Sequence, residues 1–164
     1  MTTTLSSAVT TSGTDAADRV DRLSLTERAR TAPVWRVSAA AGLVAAAAAE
    51  LFALGARLAD VPMRAGNAGA DHAESIPPFG FAVTTLMFTV AGTVLAVVLA
   101  RTARRAAAVY AWAAWAVVAV SLLGPATAGA TTTATKVVLA ISHVVAGSVA
   151  IPVVTRRLAA GRAV

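Results

Sequence analysis

Between Phe79 and Ala100 the chain runs through 22 positions without one charged side chain. A stretch of that length at 1.5 Å per residue matches the ~30 Å hydrocarbon core of a bilayer. Three more apolar segments share the pattern: Val37–Leu58, which contains Glu50; Ala106–Leu123, uncharged; and Ala134–Val154, which contains Lys136, His143 and Pro152. Backbone amides in lipid must find their partners within the protein, so spanning segments are helices or closed barrels. No alternating pattern of about ten residues is present to suggest a barrel. The expectation is an all-α integral membrane protein, a bundle of four helices.

Composition agrees. Of 164 residues 57% are hydrophobic and 13% charged, with a mean hydropathy of +0.72, whereas soluble domains run near a quarter charged. There is no cysteine, which excludes disulfides, thiolate nucleophiles and cysteine-based metal or iron-sulfur sites. The net charge of +6 is not a nucleic-acid signal, because the arginines sit at the borders of apolar segments rather than on one face.

Those borders predict orientation. Arg19, Arg22, Arg28, Arg30 and Arg36 precede the first segment, Arg101, Arg104 and Arg105 separate the second from the third, and Arg156, Arg157 and Arg162 follow the fourth. The opposite side carries Arg64, with Arg57 and Lys136 at helix ends, against Asp60, Asp71 and Glu74. The positive-inside rule then puts both termini in the cytoplasm of a multi-pass cell-membrane protein. Trp35 and Tyr110 would mark the inner interface, Phe79 and Phe81 the outer. Residues 1–34 are polar and read as a disordered basic tail, with a capping box at Ser24-Leu25-Thr26-Glu27. Residues 35–158 form the transmembrane domain and 159–164 a short tail. A cleaved signal peptide is not expected, since Arg57 spoils the cleavage site after the first segment.

Small residues four apart mark packing faces in lipid: Ala41, Ala45, Ala49 and Ala53 in the first segment, and Ser142, Ala146 and Ala150 in the fourth, with Gly147 beside them. Ionisable groups inside a bilayer are expensive and are the natural functional candidates. Glu50 and His143 qualify, each about 12 to 13 Å along its helix from the outer end, so a pair is geometrically open if their helices are neighbours. Thr84, Thr85, Thr89 and Thr93 either extend a polar path or bond their own helix. Arg57 and Lys136 at the outer ends snorkel to the headgroups or form ion pairs with Asp60, Asp71 or Glu74. Asp71, His72 and Glu74 lack a second nearby histidine, so no metal site and no cofactor is expected. Catalytic motifs are absent and no catalytic residue is assigned.

The segment Ser121-Leu122-Leu123-Gly124-Pro125, the Thr/Ala run after it, and Ile141-Ser142-His143-Val144-Val145-Ala146-Gly147 with Ile151-Pro152 resemble a family of uncharacterised four-helix membrane proteins of high-GC Gram-positive bacteria, a domain of unknown function. The resemblance spans about residues 36–158; it implies the topology and, for His143, Ile151 and Pro152, positions typical of that family. No activity comes with it. The function expected is a non-enzymatic accessory or structural component of the cell envelope. Its partners would be the lipid bilayer and a membrane protein or a second copy, not nucleic acid. The alternative is a small transporter or proton-coupled carrier that uses Glu50 and His143.

Overall fold

The structure, a computed structural model, describes residues 32–161; residues 1–31 of the predicted N-terminal tail, with its capping box, lie outside the described residues, and helix begins at Val34, inside the predicted tail. The elements in chain order are α1 (Val34–Leu58), β1 (Arg64–Ala65), β2 (Glu74–Ser75), α2 (Gly80–Thr102), α3 (Ala106–Ser121), α4 (Leu123–Thr127) and α5 (Thr133–Ala159). Four helical spans, with α3 and α4 taken together, are long and apolar enough to cross a membrane.

The helices stop where backbone chemistry requires it. Pro33 precedes α1, where its missing N–H costs nothing. At the other end Asp60 takes a left-handed conformation (φ 57°) and Pro62 follows. Gly124-Pro125 lies within α4, where proline is tolerated in a first turn. Thr132 caps α5 by accepting the N–H of Thr135 at 3.3 Å. Pro152 lies within α5, which continues to Ala159.

Helix α1 packs along both α2 and α5, and α3 packs on α5, whereas α2 and α3 meet over a shorter stretch. The alanine row explains the central place of α1. Ala41, Ala45, Ala49 and Ala53 are all buried, at most 5% exposed, so that two neighbours approach its backbone closely. Gly42 shows how closely: a Cβ there would lie 2.0 Å from Thr89 Cγ2. Helices α2 and α3 instead turn large apolar side chains outward, among them Met87, Val94, Trp112 and Val120, an arrangement suited to lipid and unfavourable in water.

Two apolar cores result. One, at the end that carries Pro33 and Ala159, joins Val34, Ala41, Ala96, Tyr110, Ile151 and Val154. The other, beneath the 59–79 loop, joins Ala49, Ala53, Met63, Phe81 and Val138. Tyr110 and Phe81, expected at the interfaces, are therefore buried (5% and 8% exposed), while Trp35 and Phe79 are exposed. The difference lies in which helix face each occupies, not in its depth.

The 59–79 loop has structure of its own. Arg64 pairs with Ser75 and Ala65 with Glu74 in a short antiparallel ladder, and Ala68 bridges Ala128 of the connector before α5. The Gly66 N–H donates to Thr131 Oγ1 at 3.0 Å and the Gly129 N–H to the Asn67 carbonyl at 2.9 Å. A Cβ on Gly129 would sit 2.2 Å from the Ala70 oxygen, so only glycine admits this contact. Thr135, wholly buried, donates to the Pro62 carbonyl. The loop and the connector thus form one cap over the bundle.

Candidate functional site

Glu50 lies two helical turns before Arg57 on the same face of α1. Arg57 Nη1 donates to Glu50 Oε1 at 3.2 Å, and Nη2 donates to the carbonyls of Ile76 and Pro77 at 3.3 and 3.1 Å. Glu50 also accepts the backbone N–H groups of Phe79 (2.9 Å) and Ala82 (3.2 Å). These are the N-cap and third residues of α2, a helix whose own N-cap side chain bonds nothing and whose first turn holds no acid. The carboxylate therefore does from α1 what a serine and a glutamate do together in a capping box. Its negative charge also meets the positive end of the α2 dipole. Phe79 reaches this position with a left-handed backbone (φ 64°), uncommon for a bulky residue and held here by the bond to Glu50.

The pairing of Glu50 with His143 that the sequence leaves open is not formed. Counting from helix ends placed the two at one depth, but it assumed that all the helices begin level. The start of α2 lies beside Glu50, at the mouth of the bundle, and takes both of its oxygens. His143 Nδ1 bonds the Leu139 carbonyl of its own helix at 2.6 Å. A carbonyl only accepts, so Nδ1 carries the proton, and in the neutral ring Nε2 keeps its lone pair. Arg57, expected at headgroups or on loop acids, turns inward to Glu50, while the Lys136 side chain has no hydrogen bond or ion pair among the described residues.

Three of the four candidate threonines of α2 bond locally, and the Thr85 hydroxyl forms no hydrogen bond among the described residues. Thr84, Thr89 and Thr93 each donate to the carbonyl four residues earlier at 2.8 Å, which removes their protons from any polar path. In the loop, His72 Nδ1 and Asp71 Oδ1 meet at 2.9 Å, and this bond holds the Asp71 carboxyl below its ordinary 3.8. Glu74 is drawn away into the β-ladder.

Two hollows remain. A cleft of about 280 Å³ runs between α2 and α3, with α5 and part of α1 as its floor; His143 lines it and Glu50 does not. Its walls are almost wholly apolar, with small residues such as Ala91, Gly92, Ala114 and Ala146 keeping it open. A second hollow, about 630 Å³, lies at the other end of α2 and is bordered by Trp35, Arg101, Arg104 and Arg105. The first residues of α3, whose N-cap side chain forms no capping bond, line it too. No acid borders this hollow. Both features escape sequence reading, although the seven-residue spacing of Glu50 and Arg57 was a visible signal for their contact.

No curated protein and no solved structure matches this chain. A family match covers residues 29–160, from before α1 to the end of α5. On that match the chain belongs to a family of unknown function, DUF6069.

Proposed function

We propose that this protein is a non-enzymatic accessory component of the cytoplasmic membrane, inserted with both termini inside, which works through contacts with anionic lipid and with another membrane protein or a second copy. The observation that carries the reading is the arginine-bordered hollow. Arg101, Arg104 and Arg105 gather there with no acid facing them, beside the free amides at the positive end of α3. Basic pockets between spanning helices on the cytoplasmic side suit lipid phosphates. The Glu50 contacts add support of a different kind, since this half-buried carboxylate holds the bundle together and is not presented to a cargo. A carrier built on a Glu50–His143 pair lacks that pair.

Native mass spectrometry and crosslinking in membranes test the proposal. Retained anionic phospholipid, lost on replacing Arg101, Arg104 and Arg105 with glutamine, and a crosslinked partner or dimer are expected. Finding no lipid preference, partner or self-association would overturn it. Orientation is checked separately, because the chain has no cysteine. In intact cells an impermeant maleimide should label Asp71→Cys, and should label Arg104→Cys only after permeabilisation.

A further inference from the structure

The cleft between α2 and α3 holds polar groups of two kinds. The hydroxyls of Thr89, Thr93, Ser121 and Ser142 donate to carbonyls of their own helices at 2.7 to 2.8 Å, the usual fate of such groups in a spanning helix. Ser38, Tyr110 and the more exposed Thr85 form no such bond among the described residues. Ser38 is 2% exposed, and its hydroxyl has no partner. Tyr110 is 5% exposed and its hydroxyl forms no hydrogen bond among the described residues. Both line the cleft. Tyr110 packs in one core with Val34 and Ala41, which flank Ser38 on α1, so the two residues lie at the same end of the bundle. Buried hydroxyls are nearly always satisfied, so the unpartnered Ser38 hydroxyl, with the unbonded Tyr110 hydroxyl lining the same cavity, points to a missing partner.

The cleft defines that partner. Its lining on α2 runs from Phe81 to Leu95, about 21 Å at 1.5 Å per residue, and is hydrocarbon for most of that length. No acid, lysine or arginine lines it, so a charged headgroup would meet no counter-charge there. Gly92 stands opposite the tyrosine; a Cβ there would be 3.5 Å from its hydroxyl oxygen, and its absence leaves room beside that group. A ligand hydroxyl both donates and accepts, as do those of Ser38 and Tyr110.

We infer that the α2–α3 cleft is a binding site for a neutral amphiphile, a hydrocarbon chain ending in a hydroxyl, whose head bonds Ser38 and Tyr110 and whose chain lies along the cleft toward His143. The site is separate from the arginine-bordered hollow and does not depend on the role proposed for it.

Tyr110 is the only tyrosine in the chain, which makes it a single-signal reporter. Full-length protein carrying ¹³Cζ-tyrosine is titrated in nanodiscs with farnesol and, in parallel, with farnesene, a hydrocarbon of similar skeleton without the hydroxyl. Farnesol should shift the tyrosine resonance saturably, and farnesene should not. Binding of radiolabelled farnesol should weaken about tenfold in Tyr110→Phe, equivalent to about 1.4 kcal/mol, and severalfold in Ser38→Ala. Since Ser38 bonds nothing within the protein, Ser38→Ala should leave the unfolding midpoint without farnesol unchanged or higher. No saturable shift, or equal shifts with both probes, would each overturn the assignment. So would undiminished affinity in the two variants.

Discussion

Replacing Glu50 with alanine tests the central structural claim, that this carboxylate is a cap and a staple. Three hydrogen bonds end on it: one from Arg57 and two from the start of α2. Side-chain hydrogen bonds in a membrane protein average about 0.6 and reach about 1.7 kcal/mol by double-mutant cycles, so losing all three costs about 2 to 5 kcal/mol. The upper part of that range applies, because Arg57 and Glu50 are only 23% and 18% exposed and a half-buried guanidinium would lose its counter-charge. The bonds to Ile76 and Pro77 keep Arg57 from being stranded, which holds the total below that of a fully buried pair. Glu50→Gln retains acceptor oxygen but not charge, and should cost about half as much. Reversible unfolding in mixed detergent micelles, followed by helical circular dichroism, provides the measurement. A double-mutant cycle with Arg57→Gln should return a coupling of about 1 kcal/mol or more. If Glu50→Ala falls within about 0.5 kcal/mol of the parent, the capping argument is wrong. If instead His143→Ala couples to Glu50→Gln as strongly as Arg57→Gln does, so is the assignment of partners.

Other expectations follow from single contacts. Gly42→Val places carbon where Thr89 already stands and should cost about 1 to 3 kcal/mol or more by overpacking, relieved in part by Thr89→Ala in the same unfolding assay. Thr135→Val removes the wholly buried hydroxyl that donates to Pro62; a loss of about 1 to 3 kcal/mol and faster proteolysis of the 59–79 loop are expected. The Asp71 carboxyl lies below its ordinary value because of His72. Its contribution to stability is therefore present above the unfolded-state value and disappears as the pH falls through the lowered folded-state value. His72→Ala should return the carboxyl, followed by ¹³C NMR, toward 3.8, and Asp71→Asn should abolish that part of the acid dependence.

Much of the fold was legible because lipid simplifies the problem. Apolar length alone identified four spans, and their bounds fell within a few residues of the observed helices. The alanine row of α1 announced a contact face, since in lipid close backbone approach is what draws helices together. Glu50 and Arg57 stood out because charge in a spanning segment is rare. Tertiary structure decided what those residues do. The level at which α2 begins, a property of the 59–79 loop and its packing on the connector before α5, gave Glu50 to the α2 amides and left His143 to its own helix. Helix rotation turned Tyr110 from the interface into the cleft. The partial splay of α2 from α3 opened a cavity whose lining comes from all four long helices. Length and polarity are additive along a chain and can be read from it; stagger, rotation and splay depend on contacts between residues far apart in sequence, and they settle only when the helices pack.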